Sequence, residues 1–536
     1  MAAASARAGT CIIIALALSA PASAESLADA IALAYQSNPT LQQQRAQLRA
    51  LNESYVQARA GWRPTVSTQV SGGYTRSPQS SLFGGTSEVS SNAATAALGL
   101  TQPLYTGGRT AAQVRVAEAN ILAGRQTLRA TEAALLQNVI TAYADVLRDQ
   151  ALLALHERDV ALLQSEDDDD RARLQVREVT TTDFAQVENQ LAASRSALMT
   201  AQGQLQISRA GYAAVVGQNP GRLEDLDDLP GLPATVDEAF TTAEEDNPQL
   251  RQAEITEEAS RAAIAEAKAA NHMTVSANAQ IGYTGQVYPY PSGGYQRETS
   301  AQIVFTQPLF TGGLNASVVR QAVQQDESNR IGIESARRTT VAAVANAWNS
   351  LLTDRGLIAS ETEHVRVARQ YFSGTQAEYT IGQRATLDVI IAEQSVVSAE
   401  INLAVAEHDY HVNQAGVLNS IGRLDIHQLA PSVPAYDPAD DFRKVKDAGA
   451  VPWEGLIGGI DTAMAPDPGP PAAIPAPPIA VAPTVPQGVD VISARTQPAS
   501  VLPTAPVPNT TAPSTPASLG QSAGEANDSI IRLPDQ

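Results

Sequence analysis

Arg384 and Asp388 stand four residues apart, the spacing that brings two side chains face to face on a helix. Asp183, which follows Thr182 much earlier in the chain, offers a carboxylate that can accept hydrogen bonds from Arg384 and from Tyr379. Charge-assisted bonds of this kind are strong yet reversible, which suits a latch better than a catalyst. The same residues also fit ordinary helix-start chemistry, with Thr182 and Asp183 as caps and the Arg384–Asp388 pair contributing about 0.3 kcal/mol. The acidic run Glu166 to Asp170 reads as a solvated helix face, or alternatively as a patch that attracts a cation or a partner. His408 and His411 share one face of a helix, but no carboxylate-rich cluster of ligand spacing joins them, so no metal is expected. Asp227 and Asp228 read as loop solubility. No nucleophile elbow, phosphate loop or zinc signature occurs, so neither an enzyme nor a cofactor is expected.

The elements that carry these residues are unusual. Only 4% of the chain is aromatic and 43% hydrophobic, a mix that favours long helices over a large globular core. Arg7, the apolar run from Cys11 to Leu18 and the small residues Ala22-Ser23-Ala24 predict a signal peptide over residues 1–24. The only cysteine, Cys11, would leave with it, so the remaining chain has no disulfide or thiolate metal site to offer. No later stretch looks like a membrane-spanning helix, which leaves β-strands in a closed barrel as the way across a bilayer. A net charge of -20 argues against nucleic acid as a partner.

The chain is written twice. Gln102-Pro103-Leu104-Tyr105-Thr106-Gly107-Gly108 returns 205 residues later as Gln307-Pro308-Leu309-Phe310-Thr311-Gly312-Gly313. Thr141-Ala142-Tyr143 and Asn346-Ala347-Trp348 keep that offset, as do Asp183 and Asp388, whereas Asn38-Pro39 and Asn247-Pro248 are 209 apart. Chance does not hold one offset from Gln102 to Asp183, so a duplication is predicted: residues 25–230 form one repeat and 231–430 the other. The change of offset predicts a longer loop in the first copy, between Tyr74 and Gln102.

Each copy reads as helix, strand, loop, strand, very long helix, turn, helix. Val275, Ala277, Ala279, Ile281 and Tyr283 alternate with polar or small residues, and Ala301, Ile303 and Phe305 follow across Tyr290-Pro291-Ser292-Gly293-Gly294. The first copy repeats this over Thr65 to Tyr74 and Ala94 to Thr101, around Phe83-Gly84-Gly85. Leu136, Val139, Tyr143 and Val146, like Val341, Val344, Trp348 and Leu351, recur at spacings of three and four. A helix from Thr110 to Arg171 would be roughly 95 Å long. The helices before the first strand and after the turn should stack end to end beside it. Residues 431–536, rich in Pro and Ala, are expected to be a disordered tail.

Four strands of about ten residues can cross a tilted bilayer path but cannot close on themselves. Other copies must complete the wall, and three chains would supply twelve strands. The fold expected is therefore a mixed α and β membrane protein: a trimeric twelve-stranded β-barrel continued by a long antiparallel α-helical coiled-coil barrel.

At this point the residues carry a resemblance. Glu25-Ser26-Leu27 through Ser37-Asn38-Pro39-Thr40-Leu41, the two Gln-Pro-Leu-aromatic-Thr-Gly-Gly motifs and the segment Tyr379 to Val389 resemble the TolC family of outer-membrane efflux and type I secretion channels, over about residues 25 to 430. The resemblance implies a homotrimer in outer-membrane lipid with its helices in the periplasm. It also implies a periplasmic adaptor (membrane fusion) protein, an inner-membrane pump or ABC transporter, and opening by untwisting of the inner helices. It places a periplasmic gate network at Thr182, Asp183, Tyr379, Arg384 and Asp388, and an adaptor-contact tip at Arg177, Glu178, Gly382 and Gln383. Two positions depart from the family pattern: Ile391 stands where a second acidic residue is frequent, the next carboxylate being Glu393, and Arg177 stands where Gly is common.

The expected function is the outer-membrane exit duct of a tripartite efflux pump, gated at its periplasmic helical tip. The same body could serve type I protein secretion. A reading from another class is a periplasmic coiled-coil adaptor or structural protein, which would extract in aqueous buffer.

Overall fold

The computed structural model describes residues 24–81, 84–287, 294–467 and 469. The signal peptide expected over 1–24 falls outside these apart from residue 24; so do parts of both hairpin loops and nearly all of the tail beyond 467.

The first half runs α1 (Leu27–Ser37), α2 (Pro39–Arg59), β1 (Thr65–Ser81), β2 (Gly85–Tyr105), α3 (Arg109–Gln175) and α4 (Thr181–Val216). The second runs α5 (Val236–Asp246), α6 (Pro248–Ala269), β3 (Thr274–Gln286), β4 (Gln296–Thr306), α7 (Leu314–Thr380) and α8 (Thr386–Ser420). Three short helices follow: α9 (Ile426–Leu429), α10 (Pro438–Val445) and α11 (Glu454–Ala463).

Local chemistry accounts for the boundaries. Asn38 caps α2 by accepting from the N–H groups of Thr40 and Leu41, with Pro39 preset at the first helical position. Asn247 repeats this for α6 with Gln249, Leu250 and Pro248. Each asparagine also ties its helix to the end of another: Asn38 Nδ2 donates to Val215 O at 3.1 Å, and Asn247 Nδ2 to Ser420 O at 2.8 Å. So α4 and α2 abut end to end beside α3, as do α8 and α6 beside α7. Both α3 and α7 have 67 residues, about 100 Å of helix.

The strands form one antiparallel sheet in the order β1-β2-β3-β4. Directly opposed residues share a face, so the register puts Val66, Val70, Leu98, Leu100, Ile281, Tyr283 and Ile303 on one side and Gln69, Thr95, Asn278, Gln280 and Gln302 on the other. The apolar side is bare: Val70 is 77% exposed and Ile303 60%. The longer loop expected in the first copy is corrected. The first hairpin pairs through to Ser81 and Gly85, so three residues separate its strands against nine in the second hairpin, and β1 and β2 run to 17 and 21 residues, against 13 and 11 for β3 and β4.

The main core lies midway along the helices, where α1, α3, α4, α5 and α8 converge on Ile31, Leu136, Ile140, Tyr143, Tyr212, Leu418 and Ile421, all essentially buried. The Tyr143 hydroxyl accepts from Glu224 N–H at 2.9 Å and lies within donating distance of Glu25 O and Glu224 O. Tyr143→Phe removes the hydroxyl that bridges these groups, while Glu224 N–H keeps Glu25 O at 3.1 Å, so a loss of about 0.5–1.5 kcal/mol is expected in thermal or denaturant unfolding.

Two further expectations are corrected. Helix α8 contains an 18-residue window of mean hydropathy 1.4, long and apolar enough by composition to cross a membrane. Its buried apolar residues pack against α3, α4 and α7, while Leu387, Ile391 and Val405 stay exposed. The stretch from Pro431 to Asp467, assigned by composition to a disordered tail, forms a strap carrying α10 and α11. It runs along the strand-proximal end of α2 and packs Ile457 against Trp62, Ala111 and Val114. Two acids fasten it. Glu454 accepts from Arg59 Nε at 2.7 Å and from Arg63 Nε at 3.0 Å. Asp461, fully buried, accepts from Trp62 Nε1, from the N–H groups of Thr106, Gly108 and Ala111, and from the Thr106 hydroxyl, all at 2.8–3.2 Å. Gly108, the N-cap of α3, has no side chain of its own to cap with, and Asp461 supplies that carboxylate from the far end of the chain.

Candidate functional site at the helical tip

The ends of α3 and α7 turn back into α4 and α8 through the same backbone device. Glu178 N–H bonds Arg173 O at 2.9 Å, and Gln383 N–H bonds Glu378 O at 2.9 Å, so both turns close alike. Each requires a left-handed residue, supplied by Gly382 (φ 76) in the second and Arg177 (φ 62) in the first. Arg177 is the one non-glycine with positive φ among the described residues and carries strain of roughly 1–2 kcal/mol that Gly382 does not. Arg177 and Glu178 are exposed at one turn and Gly382 and Gln383 at the other, so all four residues of the expected adaptor-contact tip lie at the extremity of the helices.

Between the two turns lies a cleft of about 310 Å³ lined by Arg173, Asp183, Tyr379, Arg384 and Thr386, among others. Asp183, Tyr379 and Arg384 therefore line one cleft, Thr182 and Asp388 are not part of its lining, and the pairing is not the one expected. Asp183 is turned to its own helix: its carboxylate accepts from the Thr180 hydroxyl at 2.8 Å, and Thr180 Oγ1 accepts from Asp183 N–H at 3.1 Å. Thr180, not Thr182, is the N-cap, and Thr182 is exposed on the first turn. Arg384 Nε donates to Glu378 Oε2 at 2.8 Å, and its Nη1 stands 3.9 Å from Asp388 Oδ2. Asp388 Oδ2 also accepts weakly from Ala385 N–H at 3.4 Å.

At the tip, Tyr379 links the two hairpins. Arg173 of α3 donates to its hydroxyl and lies 5.1 Å from its ring centre, while the Thr386 hydroxyl donates to the same oxygen at 3.3 Å. Arg173, Glu378 and Thr386 were not singled out from the sequence. A sign of the first two was available: they occupy equivalent positions of the two copies with opposite charge. The acidic run nearby also departs from expectation. Asp168 and Asp169 are exposed, but Asp167 (6% exposed) and Asp170 (0%) face inward, Asp167 accepting from Arg171 at 2.9 Å. Spacing of three explains this, since it puts those two on one face.

Farther along α8, Ile391 is half exposed, whereas Glu393 is buried against α3. Among the described residues no group of three or more His, Cys, Asp or Glu is arranged to hold a metal ion. The tip can thus hold and release ion pairs and hydrogen bonds between helical hairpins.

Comparison with known proteins gives a consistent picture. Residues 30–218 and 240–423 match the family described as outer membrane efflux protein, once in each half. The outer membrane efflux protein BepC of Brucella suis is 29% identical over 434 residues, covering 81% of this chain and 92% of that protein. The outer membrane protein TolC of Escherichia coli is 26% identical over 441 residues, covering 78% and 87%. Among solved structures, the Campylobacter jejuni CmeC outer membrane channel has the same fold, with a TM-score of 0.66 at 14% identity over 78% of this chain and 89% of that one.

Proposed function

The chain belongs to the outer membrane efflux protein family, and from that membership we infer that it is the outer-membrane exit duct of a tripartite efflux pump. The alternative of a periplasmic adaptor or structural protein falls with it. One observation carries the reading: a sheet with one apolar, exposed face and two open edges is prolonged by helices about 100 Å long. In hydrocarbon, unpaired edge groups cost several kcal/mol each, so β1 and β4 call for partners from other copies. Three copies give twelve strands, with the apolar face on lipid, the polar face on a lumen, and the helical hairpins continuing the bore into the periplasm. The matched element order and the lengths of α3 and α7 support an origin by duplication.

The tip is the gate and the docking point for the periplasmic adaptor, which links the duct to an inner-membrane pump. In this reading Tyr379, held by Arg173 and Thr386, joins the two hairpins, and Arg384 is held by Glu378 and Asp388 within its own. Asp183 and Thr182 line the entrance, and Arg177, Glu178, Gly382 and Gln383 meet the adaptor. Channel current in planar bilayers tests this. Wild-type protein, extracted with detergent as a heat-modifiable trimer, should conduct weakly, and Arg384→Ser several-fold more strongly, because Glu378 and Asp388 lose their shared cation. Equal conductance would remove Arg384 from the gate. A monomer that dissolves without detergent would overturn the duct itself.

A further inference from the structure

At two sites far from the tip the packing of α8 on α3 is sensitive to a proton, whereas the Arg158–Glu400 ion pair and the Asn419–Gln137 hydrogen bond join the same helices without one. At the first, His408 is largely buried, with Nε2 2.9 Å from Asp145 Oδ1 on α3 and Nδ1 2.8 Å from Asp409 Oδ1 on its own helix. Carboxylate oxygens only accept, and a neutral imidazole has a single N–H, so satisfying both contacts requires the doubly protonated ring. Arg148 of α3 stands 3.4 Å from Nε2 but is itself engaged by Asp145 at 3.0 Å and Asp149 at 2.8 Å. At the second site, fifteen residues or about 22 Å along α8, Glu393 is buried within electrostatic reach of two acids of α3, Asp159 and Glu166, with Arg158 the one cation acting on it. Burial beside these like charges disfavours ionisation of Glu393. Arg158 is moreover shared with Glu400, which also takes Arg369 from α7.

We propose that α3 and α8 are joined by a proton-dependent seam, with His408 and Glu393 as its two titrating contacts, which holds in acid and loosens as the pH rises.

The electrostatics of both groups act in the same direction. Burial opposes charge on His408, but the hydrogen bonds to Asp145 and Asp409 outweigh it and raise its pKa above the ordinary histidine value. Its contribution is therefore complete below that ordinary value and lost as the pH climbs through the raised one. Burial, reinforced by Asp159 and Glu166 and only partly offset by Arg158, pushes Glu393 up to about 8. Once the seam is parted, its carboxyl ionises in the ordinary range, so the closed form loses ground from there up to about 8. His411, one turn beyond His408, is held below the ordinary histidine range by burial, so it adds no charge at neutral pH. Both contacts thus favour closure at about pH 5 and release at about pH 9. In the duct reading α8 would shift more easily against α3 under alkaline conditions, but the seam itself does not require that reading.

Spin labels at the exposed positions Ala151→Cys and Asn402→Cys, in full-length protein in detergent with Cys11→Ala, report the distance across the seam between the two contacts. The wild-type background should show a population of longer distances that grows roughly tenfold or more between about pH 5 and about pH 9. Glu393→Gln, which mimics the protonated acid, should shift that growth to higher pH or abolish it. His408→Gln should show the longer distances already in acid. A distance distribution unchanged with pH in the wild-type background overturns the proposal, as does an unaltered pH response in both variants. The distance reads the seam whether or not the protein conducts, so its failure is separable from failure of the duct.

Discussion

Asp461→Ala is expected to release the C-terminal strap from the junction of β2 and α3, at a cost of about 3–5 kcal/mol to that docking. Five donors converge on this one carboxylate: Trp62 Nε1, the backbone N–H groups of Thr106, Gly108 and Ala111, and the Thr106 hydroxyl. Without it, the buried donors lose their acceptor, and the first turn of a 67-residue helix loses the negative charge opposite its dipole. Asp461→Asn keeps the volume but turns an N–H toward groups that are themselves donors, so it should cost nearly as much. The loss is local, so the fitting measurement is hydrogen exchange in α11 and the first turn of α3, with α8 as the internal reference. Unchanged exchange in α11 would show that Glu454 and the Ile457–Trp62 contact hold the strap alone.

Gly108→Ala and Gly313→Ala should differ by at least about 2 kcal/mol, although the two glycines close the same motif in the same left-handed conformation (φ 82 and φ 85). Both variants carry the conformational penalty of roughly 1–2 kcal/mol. At Gly108 an added methyl would also lie 2.5 Å from Ala465 Cα and 2.7 Å from Pro466, so strap backbone has to move. At Gly313 it meets nothing in the chain within 4 Å. The strap covers the first of the two junctions and leaves Leu309 and Phe310 of the second 93% and 89% exposed. Thermal unfolding of both variants, with exchange in α11 as a second readout, checks the difference. Equal losses would mean that the strap yields freely at Ala465.

What could be read from the residues divides along physical lines. Patterns that repeat within an element were legible: the alternation at Val275 to Tyr283 became β3, and the three-four spacing of Leu136, Val139, Tyr143 and Val146 became the buried stripe of α3. Tyr379, Arg384 and Asp183 do line one tip cleft. Their pairing was not legible, because whether Asp183 turns to Thr180 or to Arg384 depends on the angle between two hairpins, which no spacing encodes. The strap was missed because Pro and Gly in 431–467 resemble the tail that follows. Its order rests on long-range partners such as Arg59, Arg63 and Trp62, hundreds of residues away. Within it, Asp461 directly after the apolar Leu456-Ile457-Gly458-Gly459-Ile460 was the available hint of a buried acid.

The register of the sheet also constrains the order of assembly. β1 and β2 are neighbours in sequence and can zip as a hairpin as soon as both exist, but the other edge of β2 pairs with β3, where Ala93 meets Gln286 about 190 residues later. Contacts so distant form slowly, because a long loop must close before they return any free energy. While α3 to α6 are being delivered, a strand of 21 residues waits with one edge open. Such an edge is a template for the wrong neighbour, so the newly exported chain has its greatest need of a chaperone in the interval between its first hairpin and its second.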